Sequence, residues 1–179
     1  MKKTLFTMLA ICLLAAGCGE SAKKDESRYV VNLTAGSPSV DFLYRDMAGK
    51  PFRLSEQKGK VVLLYFWRMK CEACKEELKA IEALYRKFRD RGLVVVAVGA
   101  DSMHSASLYD VSRFMEKEGF TFIKIRDEDG FVAEAYQVMR APEAYLIDRD
   151  GRIAMAQKGS ADWAGQVSVL IDGLLSGKR

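Results

Sequence analysis

Val61-Val62-Leu63-Leu64-Tyr65-Phe66-Trp67 is an unbroken apolar run of seven residues. A strand that offers water nothing on either face has to be covered on both, so it belongs at the centre of a sheet with helices above and below. The neighbouring sequence agrees. From Cys71 to Arg89 apolar residues recur at helical spacing, with Cys74, Leu78, Ile81, Tyr85 and Phe88 on one stripe. Leu93 to Ala100 reads as a second buried strand, Ser105 to Glu118 as a helix, Thr121 to Ile125 as a strand and Gly130 to Tyr136 as a short helix. Ala144 to Asp148 and Arg152 to Gln157 form a hairpin across Arg149-Asp150-Gly151, and Trp163 to Leu175 a last amphipathic helix. Upstream, Val40 to Tyr44 and Pro51 to Leu54 read as short strands around the turn Asp46 to Lys50. The sum is α/β: a central mixed β-sheet flanked by helices, with an N-terminal β-hairpin extension.

The start of the chain follows a different rule. Lys2 and Lys3 precede a short apolar run, Leu5 to Ala16, and Ala15, Ala16 and Gly17 lead into Cys18. A charged start, an apolar centre and small residues make a secretory signal. The run falls short of the about 20 residues that a membrane-spanning helix needs. Cys18 in this setting resembles the lipobox cysteine of bacterial lipoproteins. That resemblance implies removal of residues 1–17, lipidation of Cys18 and anchoring to a bacterial membrane facing the periplasm. Gly19, in place of Asp, resembles the signal that permits the outer membrane. The family usually has Leu three places before the cysteine, whereas here Ala15 holds that position and Leu14 stands one earlier. Residues 18–37 are polar and charged, with Lys23-Lys24-Asp25-Glu26 in a row, and read as a tether. Within it, Tyr29 to Leu33 has the composition to add a strand. Residues 38–179 are the expected domain.

The signal takes two lysines and no acid with it, so the formal net charge of +4 becomes +2. With no run of Lys or Arg either, the sequence predicts no nucleic-acid partner. Of the four cysteines, Cys12 leaves with the signal and Cys18 takes lipid. Any disulfide within the mature chain then joins Cys71 to Cys74, in an oxidising compartment.

Cys71-Glu72-Ala73-Cys74 stands where the buried strand hands over to the long helix. In a first helical turn, unpaired N–H groups and the helix dipole favour negative charge. A thiol there ionises readily, and the thiolate is the nucleophile of disulfide exchange. The apolar stripe puts Cys74 on the core side as the resolving thiol and leaves Cys71 at the tip as the attacking one. Three other readings compete. A stabilising disulfide across so short a loop contributes only about 2 kcal/mol. A zinc site wants about four ligands, and the mature chain offers two free cysteines and the lone His104. Inert buried thiols do not suit a helix tip. No metal and no cofactor is expected.

The segment LLYFWRMKCEACKEELKAIEALYRKF is similar to the active-site region of the TlpA/ResA-type thioredoxin-like proteins. These are membrane-tethered thiol–disulfide oxidoreductases that usually reduce disulfides outside the cytoplasm. The likeness continues through GKPFRLSEQKGKVVLLYFW and DEDGFVAEAYQVMRAPEAYLIDRDGRI, over about residues 38–176. It implies a thioredoxin-like fold and a reductase that takes electrons from a membrane electron-donor protein of thiol type. Protein thiols or disulfides would be its substrates, in cytochrome c maturation or thiol repair. It also implies that Ala141-Pro142 forms a cis-proline loop beside the CxxC, binding substrate backbone, and that Trp67 packs beneath the site.

Several positions depart from the family pattern. Lys70 stands where Trp usually precedes the first cysteine; its charge favours the Cys71 thiolate, and that of Glu72 opposes it. Tyr65 replaces a frequent Asn or Asp, so no buried acid serving Cys74 is evident. Glu143 follows Pro142 where Thr is common, which puts a carboxylate near the substrate groove. Two further functions compete with this one. Copper chaperones of the fold use a CxxxC and a late histidine near the proline loop, which His104 does not match. A thiol peroxidase needs a Pro/Thr-rich setting around one cysteine, which the residues before Cys71 lack.

Overall fold

The computed structural model describes residues 33–102 and 104–177. The signal segment, Cys18, most of the tether and all but the last residue of the Tyr29 to Leu33 stretch lie outside the described residues. Along the chain come β1 (Leu43–Arg45), β2 (Pro51–Arg53), β3 (Val61–Trp67), α1 (Glu72–Phe88), β4 (Leu93–Gly99) and α2 (Leu108–Lys117). Then follow β5 (Ile123–Arg126), α3 (Phe131–Ala135), β6 (Glu143–Ile147), β7 (Ile153–Lys158) and α4 (Ser168–Leu175).

All seven residues of β3 are buried, because it is the middle strand of a mixed sheet ordered β5-β4-β3-β6-β7. It runs parallel to β4, from Val61 opposite Leu93 to Trp67 opposite Gly99, and antiparallel to β6, with Tyr65 opposite Ala144. Alternation along β3 feeds two cores. Leu63, Tyr65 and Trp67 pack with Leu78 and Ile81 of α1 and Ile171 of α4. Val62, Leu64 and Phe66 pack on the other face with Phe42, Phe52, Tyr136 and Tyr145. Each large side chain so buried stabilises the fold by about 1.5–3 kcal/mol. The β1–β2 hairpin is present as expected, and it covers the second core with Phe42 and Phe52.

Element ends move where side chains cap them. The first strand starts at Leu43 rather than Val40: Asp41 turns its carboxylate to the Ser55 N–H at 2.8 Å instead of leaving its segment to a ladder. The second helix starts at Leu108 rather than Ser105, because Ser107 caps it by accepting the Asp110 N–H at 3.1 Å. The last helix opens with a wide π turn, Trp163–Val167, capped by Asp162, before α4 proper. Helix α1 ends in a short 3-10 turn, and Gly92 then turns the chain into β4 with φ of 102°, a left-handed conformation that suits glycine. Among the described residues no helix is long and apolar enough to cross a membrane.

Candidate active site

At the carboxyl ends of β3 and β4 the chain leaves the sheet, and Trp67 C=O accepts the Ala100 N–H at 3.0 Å. A tight turn follows, closed by the Cys71 N–H on the Arg68 carbonyl at 3.1 Å. Cys71 is the N-cap of α1, and its Sγ accepts the Cys74 N–H at 3.1 Å. This is a helix-capping bond made by sulfur, and it would strengthen if the sulfur were an anion. Cys71 and Cys74 are joined by a disulfide, with Cα atoms 5.2 Å apart. Cys74 is 0% exposed, on the stripe that includes Leu78 and Ile81, whereas Cys71 is half-buried at the tip.

The other residues singled out in the sequence gather around this tip with one exception. The Ala141-Pro142 bond is cis; Ala141 lines the same cavity as Cys71, and the Pro142 carbonyl accepts the Gly159 N–H at 2.9 Å. Trp67 is fully buried, tilted against Phe114 at 5.6 Å between ring centroids. Lys70 is exposed and lines the Cys71 cavity. Glu72 is paired with Lys75 at 2.8 Å, which offsets the carboxylate's opposition to a Cys71 anion. Glu143 is the exception and corrects the sequence reading. It is 4% exposed and accepts the Tyr145 hydroxyl at 2.6 Å. As residue i beside Tyr145 at i+2 it shares the face that packs into the second core, so its carboxylate is turned beneath the sheet and not into the groove.

The structure adds residues that the sequence reading missed. A buried acid does stand beside Cys74: Glu77, one turn further along α1 and 8% exposed. Its Oε2 accepts the Tyr65 hydroxyl at 3.0 Å and its Oε1 the Ala161 N–H at 3.2 Å. Tyr65 is the residue whose identity had argued against such an acid; its hydroxyl also reaches the Cys74 carbonyl at 3.3 Å. Burial, and then the charge of Glu77, push the Tyr65 phenol far above its ordinary range, so it remains a donor. Asp101, 4% exposed at the end of β4, accepts the Met69 N–H at 2.7 Å and holds the loop that leads into Cys71. Two signals were available: three-residue spacing from Cys74 for Glu77, and a polar residue at the carboxyl end of a buried strand for Asp101.

A CxxC capping the helix after a central buried strand, with a cis-proline entering the next strand, is the apparatus of a thioredoxin-like thiol–disulfide oxidoreductase. The AhpC/TSA family is matched over residues 35–156, and the chain belongs to that family. It is 33% identical over 129 residues to the thiol-disulfide oxidoreductase ResA of Bacillus subtilis, covering 72% of this chain and 70% of that relative. A Bacillus cereus protein of the same name is 29% identical over 161 residues, covering 89% of this chain and 91% of its own. Among solved structures, a Chlorobium tepidum protein described as thiol:disulfide interchange protein DsbE aligns with a TM-score of 0.68 at 26% identity. That alignment covers 78% of this chain and 97% of the other. The function is thiol–disulfide exchange of the ResA/DsbE type.

Proposed function

We propose that the protein is an extracytoplasmic disulfide reductase, tethered to a membrane by lipid on Cys18, with residues 18–37 as spacer and 38–179 as the working domain. Cys71 is the attacking thiol and Cys74 the resolving one. The observation that carries this is the asymmetry of the two sulfurs. Cys74 is fully buried, while Cys71 is half-buried at a helix cap with an N–H 3.1 Å from its sulfur.

In the reduced protein, the Cys71 thiolate attacks one sulfur of a substrate disulfide. That S–S bond breaks, the departing sulfur takes a proton, and a mixed disulfide forms. Cys74 then gives up its proton and attacks Cys71 Sγ, which releases the second substrate thiol and closes the Cys71–Cys74 bond. Two electrons and two protons pass to the substrate, and a thiol-type donor at the membrane restores the dithiol by the same chemistry. Glu77 is the carboxylate placed to receive the Cys74 proton, held by the Tyr65 hydroxyl. The Ala141-Pro142 loop aligns substrate backbone and Trp67 forms the floor. Lys70 favours the Cys71 anion, and Glu72 is occupied by Lys75. Cytochrome c maturation or thiol repair are the settings that the ResA-type resemblance supports.

Equilibration against dithiothreitol or glutathione tests the direction. A potential near that of thioredoxin, about −270 mV, supports a reductase, and one near the strong oxidant DsbA, about −120 mV, overturns it. Reduced Cys74→Ser protein should accumulate a mixed disulfide with substrate and Cys71→Ser none; the opposite pattern would reverse the two roles. Metabolic labelling with palmitate, lost in Cys18→Ala, tests the anchor.

A further inference from the structure

Beside Cys71 lies an open cavity of about 600 Å³ that gathers more positive charge than the exchange chemistry uses, since of its three cations only Lys70 has a part in that chemistry. Arg68, Lys70 and Arg140 line it together with Cys71, Asp101 and Ala141. Two of these cations come from the loop between β3 and α1 and the third from the loop before Pro142, so only the fold assembles them. All three are exposed. None makes an ion pair or a side-chain hydrogen bond among the described residues, while other basic residues such as Lys75 and Arg86 do. Exposed Glu134 shares a neighbouring cavity with Arg68 but does not line this one, and the acids closer to Cys71 are engaged elsewhere. Asp101 is buried and bonded inward to the Met69 N–H and the Ser105 hydroxyl. Glu72 is paired with Lys75, and Glu143 is under the sheet with Tyr145. Three unpaired cations therefore face one turned-away carboxylate around the attacking sulfur.

We propose that this groove selects polypeptide substrates whose reacting cysteine is flanked by acidic residues. The proposal rests on Cys71 being the attacking thiol, as set out above. A peptide backbone laid along the Ala141-Pro142 loop would carry its side chains next to the cysteine within reach of Arg68, Lys70 and Arg140. Complementary charge at a cleft raises encounter rates by about 10 to 10³-fold at low ionic strength. Exposed charges of this kind are screened once the Debye length falls to about 3 Å, near 1 M salt.

The test uses the mature protein, reduced and freed of reductant, with three peptides of equal length around the same disulfide. Its flanking residues are Glu in one, Gln in the second and Lys in the third, and the release of peptide thiol is followed at about 20 mM and at about 1 M salt, the two screening regimes. At low salt the Glu peptide should react about ten-fold faster than the Gln peptide and the Lys peptide slower than both, with the spread collapsing at high salt. The double variant Arg68→Gln, Arg140→Gln should bring the Glu-to-Gln rate ratio close to one. A change in Cys71 ionisation would scale all three rates together and leave that ratio alone. Equal low-salt rates for the three peptides would overturn the charge selection and leave the exchange reaction standing, as would a Lys peptide that reacts fastest. No exchange with any of them would remove the exchange reading and this one with it.

Discussion

Two glutamates on α1, Glu77 and Glu82, are equally buried at 8% exposed, and their surroundings differ in kind. Glu82 Oε1 accepts Arg86 Nε and the Thr121 hydroxyl, each at 2.7 Å, and Oε2 accepts the Thr121 N–H at 2.9 Å. Burial pushes its carboxyl up, but the bonds from Thr121 and Arg86 outweigh this and hold it below the ordinary glutamate range. It fastens the middle of α1 to the chain entering β5. Among the described residues Glu77 has only neutral donors, the Tyr65 hydroxyl and the Ala161 N–H, and it lies a turn from a buried sulfur. On one helix and at one burial, the bonding partners separate an acid that clamps from the acid to which the proposed mechanism gives the Cys74 proton.

Glu77→Gln should give the largest effect. The amide keeps the volume, and its NH2 can donate to the Tyr65 hydroxyl while that hydroxyl donates to the Cys74 carbonyl, so no donor is stranded. It cannot take up the Cys74 proton. Resolution of the Cys71 mixed disulfide should slow by about 10²-fold, read by quenched-flow trapping, with the melting temperature little changed. Equal slowing in Glu82→Gln would break the distinction.

Glu82→Gln should instead act on stability. Its amide NH2 must face either the Thr121 N–H or the Arg86 and Thr121 donors, so a donor is left without an acceptor. The expected loss is about 2 kcal/mol in a denaturant titration, with the exchange rate unaltered. Acid sharpens the point. Because the folded carboxyl lies below its unfolded value, Glu82 adds stability that is fully present at neutral pH and is lost as pH falls through the folded value. Asp127 works in the opposite sense. Burial raises its carboxyl despite bonds from the Val132 and Ala133 N–H groups, so protonation relieves a cost that is present at neutral pH. Glu82→Gln should therefore flatten the acid limb of the stability profile; an unchanged limb would show that Glu82 is not the clamp.

The contrast between these two carboxylates also marks what the amino-acid order revealed. The sheet was readable because β3 leaves nothing for water, and the redox pair because its setting is local, a strand end followed by a helical stripe. Glu143 follows Pro142 in the chain, which suggests the groove, but its alternation with Tyr145 puts it on the core side. Glu77 is hard to read from sequence because Tyr65, standing where an acid is frequent, is a donor to an acid supplied by the helix. The cations Arg68, Lys70 and Arg140 could not be read as a group, since loops far apart in the chain bring them together. Helix starts shifted to Leu108 and, at the last helix, to a π turn because Ser107 and Asp162 act as caps, and such polar residues are common enough in loops to be passed over.

Tyr65→Phe should have the smallest effect and separates the acid from its support. Tyr65 is fully buried, and its ring stands edge-on to Trp163 at 5.6 Å between centroids; phenylalanine preserves that packing and removes only the hydroxyl. Since burial and the Glu77 charge keep the phenol protonated, the hydroxyl gives Glu77 a hydrogen bond and takes no part in proton transfer itself. Its loss should cost about 1 kcal/mol of stability. Resolution should slow only a few-fold, read by the same quenched-flow trapping, because the Glu77 carboxylate stays in place with the Ala161 N–H. A slowing as large as that of Glu77→Gln would assign the proton to the phenol and make Glu77 a clamp like Glu82.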